Sequence, residues 1–320
     1  MQIICQLLFV IYINDLPEVV DDLTFIFLFA DDTKLFRQIK ANQDIQALNS
    51  DIKKLLDWSD KWLLLFHPDK CKSMSLGKPK LLENRTYTMN NHELEKTQCE
   101  KDLGVHVDNN LKFDKHIQAC VNKANKIVAI IFKTFDYMDA ETFKLLFKSL
   151  VRPHLEYAVP VWSPHQDHLI KAIEKVQKRA TKRIPGFKDL KYPERLKKLN
   201  MPTLAYRRVR GDMINIYKMV HGAFDKEIPL IFEINPRPAD HDKKFKVKSF
   251  KNNPRKYSFG VRTIELWNSL TYEIIHAEGV KEFEMLLDEH WKDQDLYQND
   301  FRTQIRTGTR ATDRYQDFVV

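Results

Sequence analysis

Two adjacent carboxylates, Asp31 and Asp32, are the residues of this sequence with the clearest potential for chemistry. They lie between two short apolar runs, residues 25–29 and 33–36, whose composition favours β-strands. The pattern predicts a β-hairpin with acids at its turn. An uncompensated carboxylate pair beside a buried run is costly to desolvate, and a bound Mg²⁺, which prefers oxygen ligands, would relieve that cost. A solvent-exposed turn is the alternative interpretation, because aspartate is common in turns.

Composition places the chain in the globular class. The 320 residues are 43% hydrophobic and 30% charged, which indicates a soluble protein of two or three domains with a real core. Eight glycines and 13 prolines are too few for an all-β or low-complexity chain. The four cysteines include no C-x-x-C pair, so reduced thiols are expected.

The apolar run over residues 3–13 resembles a signal peptide only superficially, because no basic segment precedes it. No run approaches the roughly 18 apolar residues that a membrane span requires. We therefore expect an intracellular protein, nuclear or cytoplasmic, with no membrane partner.

Charge is distributed unevenly along the chain. The net charge is +8, yet residues 1–60 hold ten acidic and five basic residues, whereas residues 171–218 hold four acidic and fifteen basic residues. A basic surface beside an acidic metal site suits a polyanion such as nucleic acid. A solvated helix face is the alternative explanation for such a charge run.

Hydrophobic periodicity predicts mixed structure before residue 112 and helices after it. In the first part we expect the end of a buried helix over residues 7–13, a helix over 49–65, a short strand over 71–76, and hairpins over 87–111 with a turn at Gly104. Trp58 and Trp62, and Trp267 further along the chain, are expected to be core anchors; platforms on which bases stack are the alternative.

Four helices are predicted after residue 112. The first, from Phe113, carries one buried stripe, and the second begins at an Asp139 cap and ends before Pro153. The third buries Leu169, Ile173, Val176, Ala180 and Ile184 and exposes Lys171, Lys175, Lys178, Arg179 and Lys182. Because that exposed side is strongly basic, it could lie along a phosphate backbone. Thr203 is expected to cap the fourth, which runs to Gly222 and carries Arg207, Arg208 and Arg210.

Polar segments mark the expected boundaries. Residues 235–253 are rich in lysine and contain proline, which predicts a linker or a long exposed loop. An apolar pattern returns over 257–291, and a polar tail that we expect to be disordered follows from residue 293. His154, His165 and His168 cluster in sequence, but without cysteine partners solvated or capping roles are favoured over a metal site.

Several short motifs, in this order along the chain, together carry a family resemblance. They are Asn14-Asp15-Leu16-Pro17, Phe29-Ala30-Asp31-Asp32, Lys101-Asp102-Leu103-Gly104-Val105, Arg152-Pro153-His154-Leu155-Glu156-Tyr157 and Leu266-Trp267-Asn268-Ser269-Leu270. The set resembles the reverse transcriptase of non-LTR retrotransposons of the LINE type, in particular the jockey-like group. That resemblance covers nearly the whole chain.

The resemblance implies an α+β fold built as a partial polymerase palm, a helical thumb and a mostly helical C-terminal region. The corresponding ranges are residues 1–110 for the palm, 111–185 for the thumb, 186–292 for the basic C-terminal region with its linker near 235–253, and 293–320 for the tail. The implied activity is RNA-directed DNA polymerisation, a nucleotidyl transfer, with an RNA template and a DNA primer as partners.

The resemblance also implies site residues. Asp31 and Asp32 match the palm acids that act in catalysis and hold Mg²⁺, or Mn²⁺ in its place. The residues implied to contact nucleic acid are Lys70, Leu103, Gly104, Lys123, Lys126, Lys171, Lys175, Lys178, Arg179 and Lys182.

One departure from the family bears on the chemistry. The family's other catalytic aspartate and its fingers precede the region that matches residue 8, so this sequence is expected to be an N-terminally truncated fragment with an incomplete metal site. Two-metal phosphoryl transfer needs ligands that hold two ions roughly 3.5–4 Å apart, and two neighbouring carboxylates on one turn diverge. We therefore expect no catalysis by the chain alone. The alternatives are an inactive remnant that still binds nucleic acid through its basic thumb, and a degenerate reading frame without a role.

Overall fold

The computed structural model describes residues 2–77, 85–224, 232–236, 241–247, 249–250 and 252–307. The chain divides into two compact units. Unit 1 comprises Met1–Glu100 and Asp108–Asn110, and unit 2 comprises Lys101–Val107 and Leu111–Val320. With 53% helix and 11% strand, the structure confirms the predicted α+β class.

Unit 1 combines two long helices with short strands. Its elements are α1 (Gln2–Tyr12), β1 (Thr24–Phe29), β2 (Asp32–Arg37), α2 (Asn42–Trp62), β3 (Lys72–Ser73), β4 (Thr88–Met89), β5 (His92–Glu93) and β6 (Glu95–Lys96), with 3₁₀ turns at Leu16–Val19 and Pro68–Lys70. The strands β7 (Cys99–Asp102) and β8 (Val105–Asp108) follow, and most of their residues belong to the otherwise helical unit 2. Strands β1 and β2 pair antiparallel, as do β4 and β5, whereas β3 and β6 pair parallel. Strands β7 and β8 form the fourth two-stranded sheet.

The predicted hairpin of residues 25–36 is confirmed, but the prediction that its apolar run is buried is wrong. Only alternate side chains of β1 face the core, because successive strand residues point to opposite faces. Ile26 and Leu28 pack towards the buried cluster that contains Leu55 and Trp58. On the other face Phe25, Phe27 and Phe29 are 57–63% exposed.

The two helices of unit 1 also depart from prediction. Among the side chains of α1 that the structure describes, Leu7, Leu8, Val10 and Ile11 are 57–63% exposed, whereas Phe9 packs towards the core. The prediction of a buried helix is therefore wrong at these four positions. Helix α2 begins seven residues before the predicted start, because the Asp44 carboxylate accepts the backbone N–H groups of Lys40 and Ala41 at 2.8 and 2.9 Å. It ends at Trp62, which is 36% exposed and not a core anchor, whereas Trp58 is buried as predicted.

Unit 2 is helical. Its elements are α3 (Asp114–Thr134), α4 (Ala140–Leu146), a π-turn (Phe147–Val151), α5 (Arg152–Glu156), α6 (Val159–Trp162), α7 (Asp167–Lys182), α8 (Tyr192–Leu199), α9 (Leu204–Val220), α10 (Asn253–Lys256), α11 (Phe259–Arg262), α12 (Ile264–Asn268), α13 (Tyr272–Ile275), α14 (Val280–His290) and α15 (Asp295–Gln298).

Both predicted helix caps are present. The Asp139 carboxylate accepts the Thr142 N–H at 2.7 Å at the start of α4, and the Thr203 hydroxyl accepts the Tyr206 N–H at 3.0 Å at the start of α9. The expected end before Pro153 is wrong, because the chain continues through the π-turn into α5. Pro153 lies in the first turn of α5, where its missing N–H is not needed.

Two hydrophobic clusters fill unit 2. One gathers the buried side chains of α3, α4, α5, α7 and α8, and the other those of α9 and the helices from α12 to α15. Trp162 belongs to the first cluster, and Trp267, predicted as a core anchor, belongs to the second.

Two segments predicted to be exposed contribute to the second cluster. Phe245, within the expected linker, is 2% exposed and forms a β-bridge with Ile234. Leu296 and Ile305, within the expected disordered tail, are 3% and 4% exposed. The predictions of an exposed linker and a disordered tail are therefore wrong at these positions, because apolar side chains spaced among polar ones reach the core. The rest of the predicted tail, residues 308–320, lies outside the described residues.

Unit 2 contains a buried histidine, His116. His116 on α3 is 3% exposed, and its Nδ1 accepts the backbone N–H of His106 at 3.2 Å. Its Nε2 therefore carries the hydrogen and lies 3.4 Å from the Cys120 Sγ. Burial is the main cause that lowers the pKa of His116 from 6.5 to about 4.

We predict that unit 2 loses stability between pH 6.5 and 4. In that interval the unfolded chain binds a proton at this position and the folded chain does not, so the free energy of unfolding falls by up to about 3 kcal/mol as the pH falls. The amide of His116→Asn keeps an acceptor for His106 and cannot titrate, so urea unfolding at several pH values should show a shallower dependence for this variant. The matched substitution of the exposed His290 should leave the slope unchanged; equal slopes for both variants would contradict this account.

Candidate nucleic-acid interface

The two candidate metal-binding acids lie at the tip of the β1–β2 hairpin. Phe29 pairs with Asp32, so Ala30 and Asp31 form a two-residue turn, with Ala30 at a φ of 51°. Asp31 and Asp32 are both exposed. The expectation that they carry a desolvation cost is therefore wrong, because water reaches both carboxylates.

The donor set of this turn suits one hard cation rather than two. Carboxylate oxygens are the ligands that Mg²⁺ prefers, and the ion commonly takes one or two protein carboxylates together with substrate phosphates. Among the described residues, no group of three or more His, Cys, Asp or Glu is placed to hold a metal. His165, from the histidine cluster, instead stacks on Tyr257 with the ring centroids 3.8 Å apart.

A buried acid that the sequence analysis missed anchors the hairpin. Asp51 on α2 is 1% exposed, accepts the Thr24 hydroxyl at 2.6 Å and pairs with Lys54 at 2.9 Å. Burial opposes ionisation, but these hydrogen bonds prevail and lower the pKa of Asp51. Arg37, at the end of β2, lies 3.7 Å from the same carboxylate. The spacing could have revealed it, because Asp51 falls among the apolar positions of α2.

The predicted turn at Gly104 is confirmed. Leu103 and Gly104 connect β7 to β8 with φ angles of 42° and 86°, in the left-handed region. The Tyr157 hydroxyl donates to the Leu103 carbonyl at 2.8 Å. A Cβ at position 104 would lie 3.3 Å from the Tyr157 ring, so the position favours glycine for both backbone and steric reasons.

Helix α7 presents the most regular basic surface. Lys171, Lys175, Lys178 and Lys182 recur every three or four residues and are all exposed, with Arg179 exposed beside them. This α7 basic face, defined as Lys171, Lys175, Lys178, Arg179 and Lys182, extends about 16 Å along the helix at 1.5 Å per residue. The opposite side is buried, with Ile173 and Ala180 both at 0% exposure. The structure thus confirms the predicted division of this helix into a buried and a basic side.

The charges of the α7 basic face are largely uncompensated. Lys171 pairs with Asp167 one turn earlier. Within the part of the chain that the structure describes, the other four side chains form no ion pair. The other lysines that were predicted to contact nucleic acid are exposed as well, namely Lys70, Lys123 and Lys126.

A buried carboxylate, also missed by the sequence analysis, fixes the inner side of α7. Glu174 is 1% exposed and accepts the Tyr192 hydroxyl at 2.5 Å and the backbone N–H groups of Leu204 and Ala205 at 3.1 and 3.2 Å. It therefore binds the N-terminus of α9, where helix donors lack partners and the macrodipole favours a negative charge. Burial nevertheless raises the pKa of Glu174.

The three arginines of α9 do not extend the α7 basic face. Arg207 pairs with Glu156, with Nη2 2.9 Å from Oε2, and Arg210 pairs with Asp288 at 2.6 Å. Arg208 is 5% exposed, and desolvation lowers its pKa. The charge excess counted over residues 171–218 therefore overstates the positive charge available to a ligand.

The comparisons with known proteins give two relatives. The chain is 25% identical over 201 aligned residues to the RNA-directed DNA polymerase from the mobile element jockey of Drosophila melanogaster. The aligned region covers 56% of this chain and 20% of that polymerase. It is also 25% identical over 126 aligned residues to an uncharacterised protein of Caenorhabditis elegans. That aligned region covers 38% of this chain and 64% of the relative. The chain thus spans less than two thirds of either relative.

No family model matches the chain, and no solved structure matches it. The similarity to the jockey polymerase supports an origin related to reverse transcriptases. None of the helices within the described ranges combines the length and apolar character needed to cross a bilayer.

Proposed function

We propose that this chain is a reverse-transcriptase-related protein of the non-LTR type that binds nucleic-acid duplex through the α7 basic face. The jockey similarity supports the relationship. The observation that carries the binding proposal is the row of exposed lysines on a helix whose opposite side is fully buried. A row of exposed cations, four of which form no ion pair among the described residues, attracts phosphates and releases their counterions on binding.

The partner that this proposal favours is an RNA–DNA hybrid, which consists of an RNA template and a DNA primer. In this assignment residues 1–110 correspond to the palm and 111–185 to the thumb, with Lys70, Leu103, Gly104, Lys123 and Lys126 as further contacts. The location that suits such a partner is intracellular, nuclear or cytoplasmic.

The test of binding is fluorescence anisotropy of a labelled RNA–DNA hybrid titrated with the whole chain at 50 to 200 mM KCl. If the five side chains of the α7 basic face each contact a phosphate, the affinity should fall about 500-fold over that range. Binding that is absent at 50 mM KCl, or that does not change with salt, would contradict the proposal.

The Asp31–Asp32 turn is the proposed site for Mg²⁺ or Mn²⁺. A cation held there would bring positive charge to a phosphate group. Two carboxylates on successive residues cannot span two ions, and positioning of both ions accounts for most of the catalysis in phosphoryl transfer. The chain is therefore proposed to act in binding rather than in polymerisation on its own; a catalytic role completed by further ligands is the alternative.

We predict that the chain alone yields no extended product from a primed RNA template in the presence of Mg²⁺. The measurement is gel-resolved primer extension, with an active reverse transcriptase as the positive control. Extension by the wild type that disappears in the variant Asp31→Asn/Asp32→Asn would contradict the proposal and favour the catalytic alternative.

A further inference from the structure

A second group of cations on unit 2 comes from elements other than α7. Lys144 on α4, Lys148 in the π-turn and Arg152 at the start of α5 follow one another at four-residue intervals, and Arg207 reaches the same place from α9. We name these four residues the π-turn cluster. Neighbours four residues apart share one side of a helical segment, so the first three cations form a row.

Carboxylates balance only part of this charge. Glu156 is shared between Arg207, with Nη2 at 2.9 Å from Oε2, and Arg152, with Nε at 3.5 Å from Oε1. Glu141 pairs with Lys144 at 2.7 Å. Lys148 is exposed and forms no ion pair among the described residues.

The positive charges around Lys148 repel one another. Like charges at four-residue spacing destabilise a helix. Desolvation, followed by the charges of Arg152, Lys144 and Arg207, lowers the pKa of Lys148. An anion bound beside Lys148 would remove this repulsion.

We propose that the π-turn cluster binds phosphate groups of a nucleic-acid backbone, with Lys148 as the contacting residue and Arg152 and Arg207 beside it. This second contact rests on the proposed function, because it assumes the same partner as the α7 basic face. Arg152 and Arg207 keep their bonds to Glu156, which leaves Lys148 to meet the ligand. The π-turn also fits such a role, because π-turns occur frequently at functional sites.

Acetylation of individual lysines, read by mass spectrometry, tests the proposal on the wild-type chain. Three samples are compared: the chain alone, with an RNA–DNA hybrid, and with inorganic tripolyphosphate. The hybrid should slow acetylation of Lys148 about threefold or more at low salt, because a bound phosphate covers its amine. Lys281, exposed on α14, is the control and should react at the same rate in all samples.

The same spectra separate this proposal from the proposed function. Protection of Lys175, Lys178 and Lys182 without protection of Lys148 would overturn the π-turn cluster as a contact and leave the α7 basic face in place. Protection of Lys148 alone would support the π-turn cluster and overturn the α7 basic face. Protection by tripolyphosphate but not by the hybrid would overturn the nucleic-acid assignment.

A variant then excludes indirect protection. Lys148→Gln should reduce the slope of log affinity against log salt for the hybrid by about 0.9, the value for one lost phosphate contact. Lys281→Gln should leave the slope unchanged. An unchanged slope for Lys148→Gln would overturn the proposal even if Lys148 were protected.

Discussion

Replacement of Glu174 by alanine should lower the free energy of unfolding of unit 2 by about 3 kcal/mol. The substitution removes the acceptor of the Tyr192 hydroxyl and of two backbone N–H groups at the start of α9. A buried donor without a partner costs about 1–3 kcal/mol, and part of the loss is offset because the buried charge is removed as well. Urea unfolding followed by circular dichroism measures the effect.

Two further variants show whether the carboxylate itself is responsible. Glu174→Gln keeps the volume but places an amide NH₂ against donors, so it should also destabilise, although by less than alanine. Glu289→Gln breaks an exposed ion pair with Lys292 and should change stability little, because exposed ion pairs contribute little. If Glu174→Gln and Glu289→Gln unfolded at the same urea concentration as the wild type, Glu174 would not anchor α9.

The second large effect concerns binding. The triple variant Lys175→Gln/Arg179→Gln/Lys182→Gln should bind an RNA–DNA hybrid about a hundredfold or more weakly at 100 mM KCl, because three phosphate contacts are lost. All three side chains are exposed, and glutamine is compatible with a helix, so the fold should persist. Fluorescence anisotropy gives the affinity, and circular dichroism verifies the helix content.

A matched variant separates a local contact from a general loss of charge. Lys40→Gln/Lys53→Gln/Lys281→Gln removes three positive charges from exposed positions elsewhere in the chain. Its affinity for the hybrid should fall much less than that of the α7 variant. Equal losses for the two variants would show that net charge, rather than the α7 basic face, determines binding.

Local patterns predicted the elements that carry the candidate site. The β1–β2 hairpin followed from two apolar runs around Asp31 and Asp32, and α7 followed from buried positions such as Ile173 and Ala180 at helical spacing. Caps at Asp139 and Thr203 were also predictable. In each case the residues that decide the structure are within a few positions of each other.

Tertiary partners explain what the sequence did not predict. Asp51 and Glu174 are carboxylates, which usually remain at the surface, and only the folded chain brings Thr24 or the start of α9 to them. Arg207 and Arg210 were counted as surface charge, yet their acidic partners are 51 and 78 residues away in sequence. Burial of Phe245 is likewise a result of packing that no local pattern specifies.

The decisive measurement is the salt dependence of hybrid binding by the wild type and by the triple variant Lys175→Gln/Arg179→Gln/Lys182→Gln. If the α7 basic face contacts the phosphates, the slope of log affinity against log salt should be smaller in magnitude by about 2.7 for the triple variant than for the wild type, because each phosphate contact contributes about 0.9. Both slopes come from anisotropy titrations of the same hybrid between 50 and 200 mM KCl. Two equal slopes would contradict the claim that α7 carries the nucleic-acid contacts.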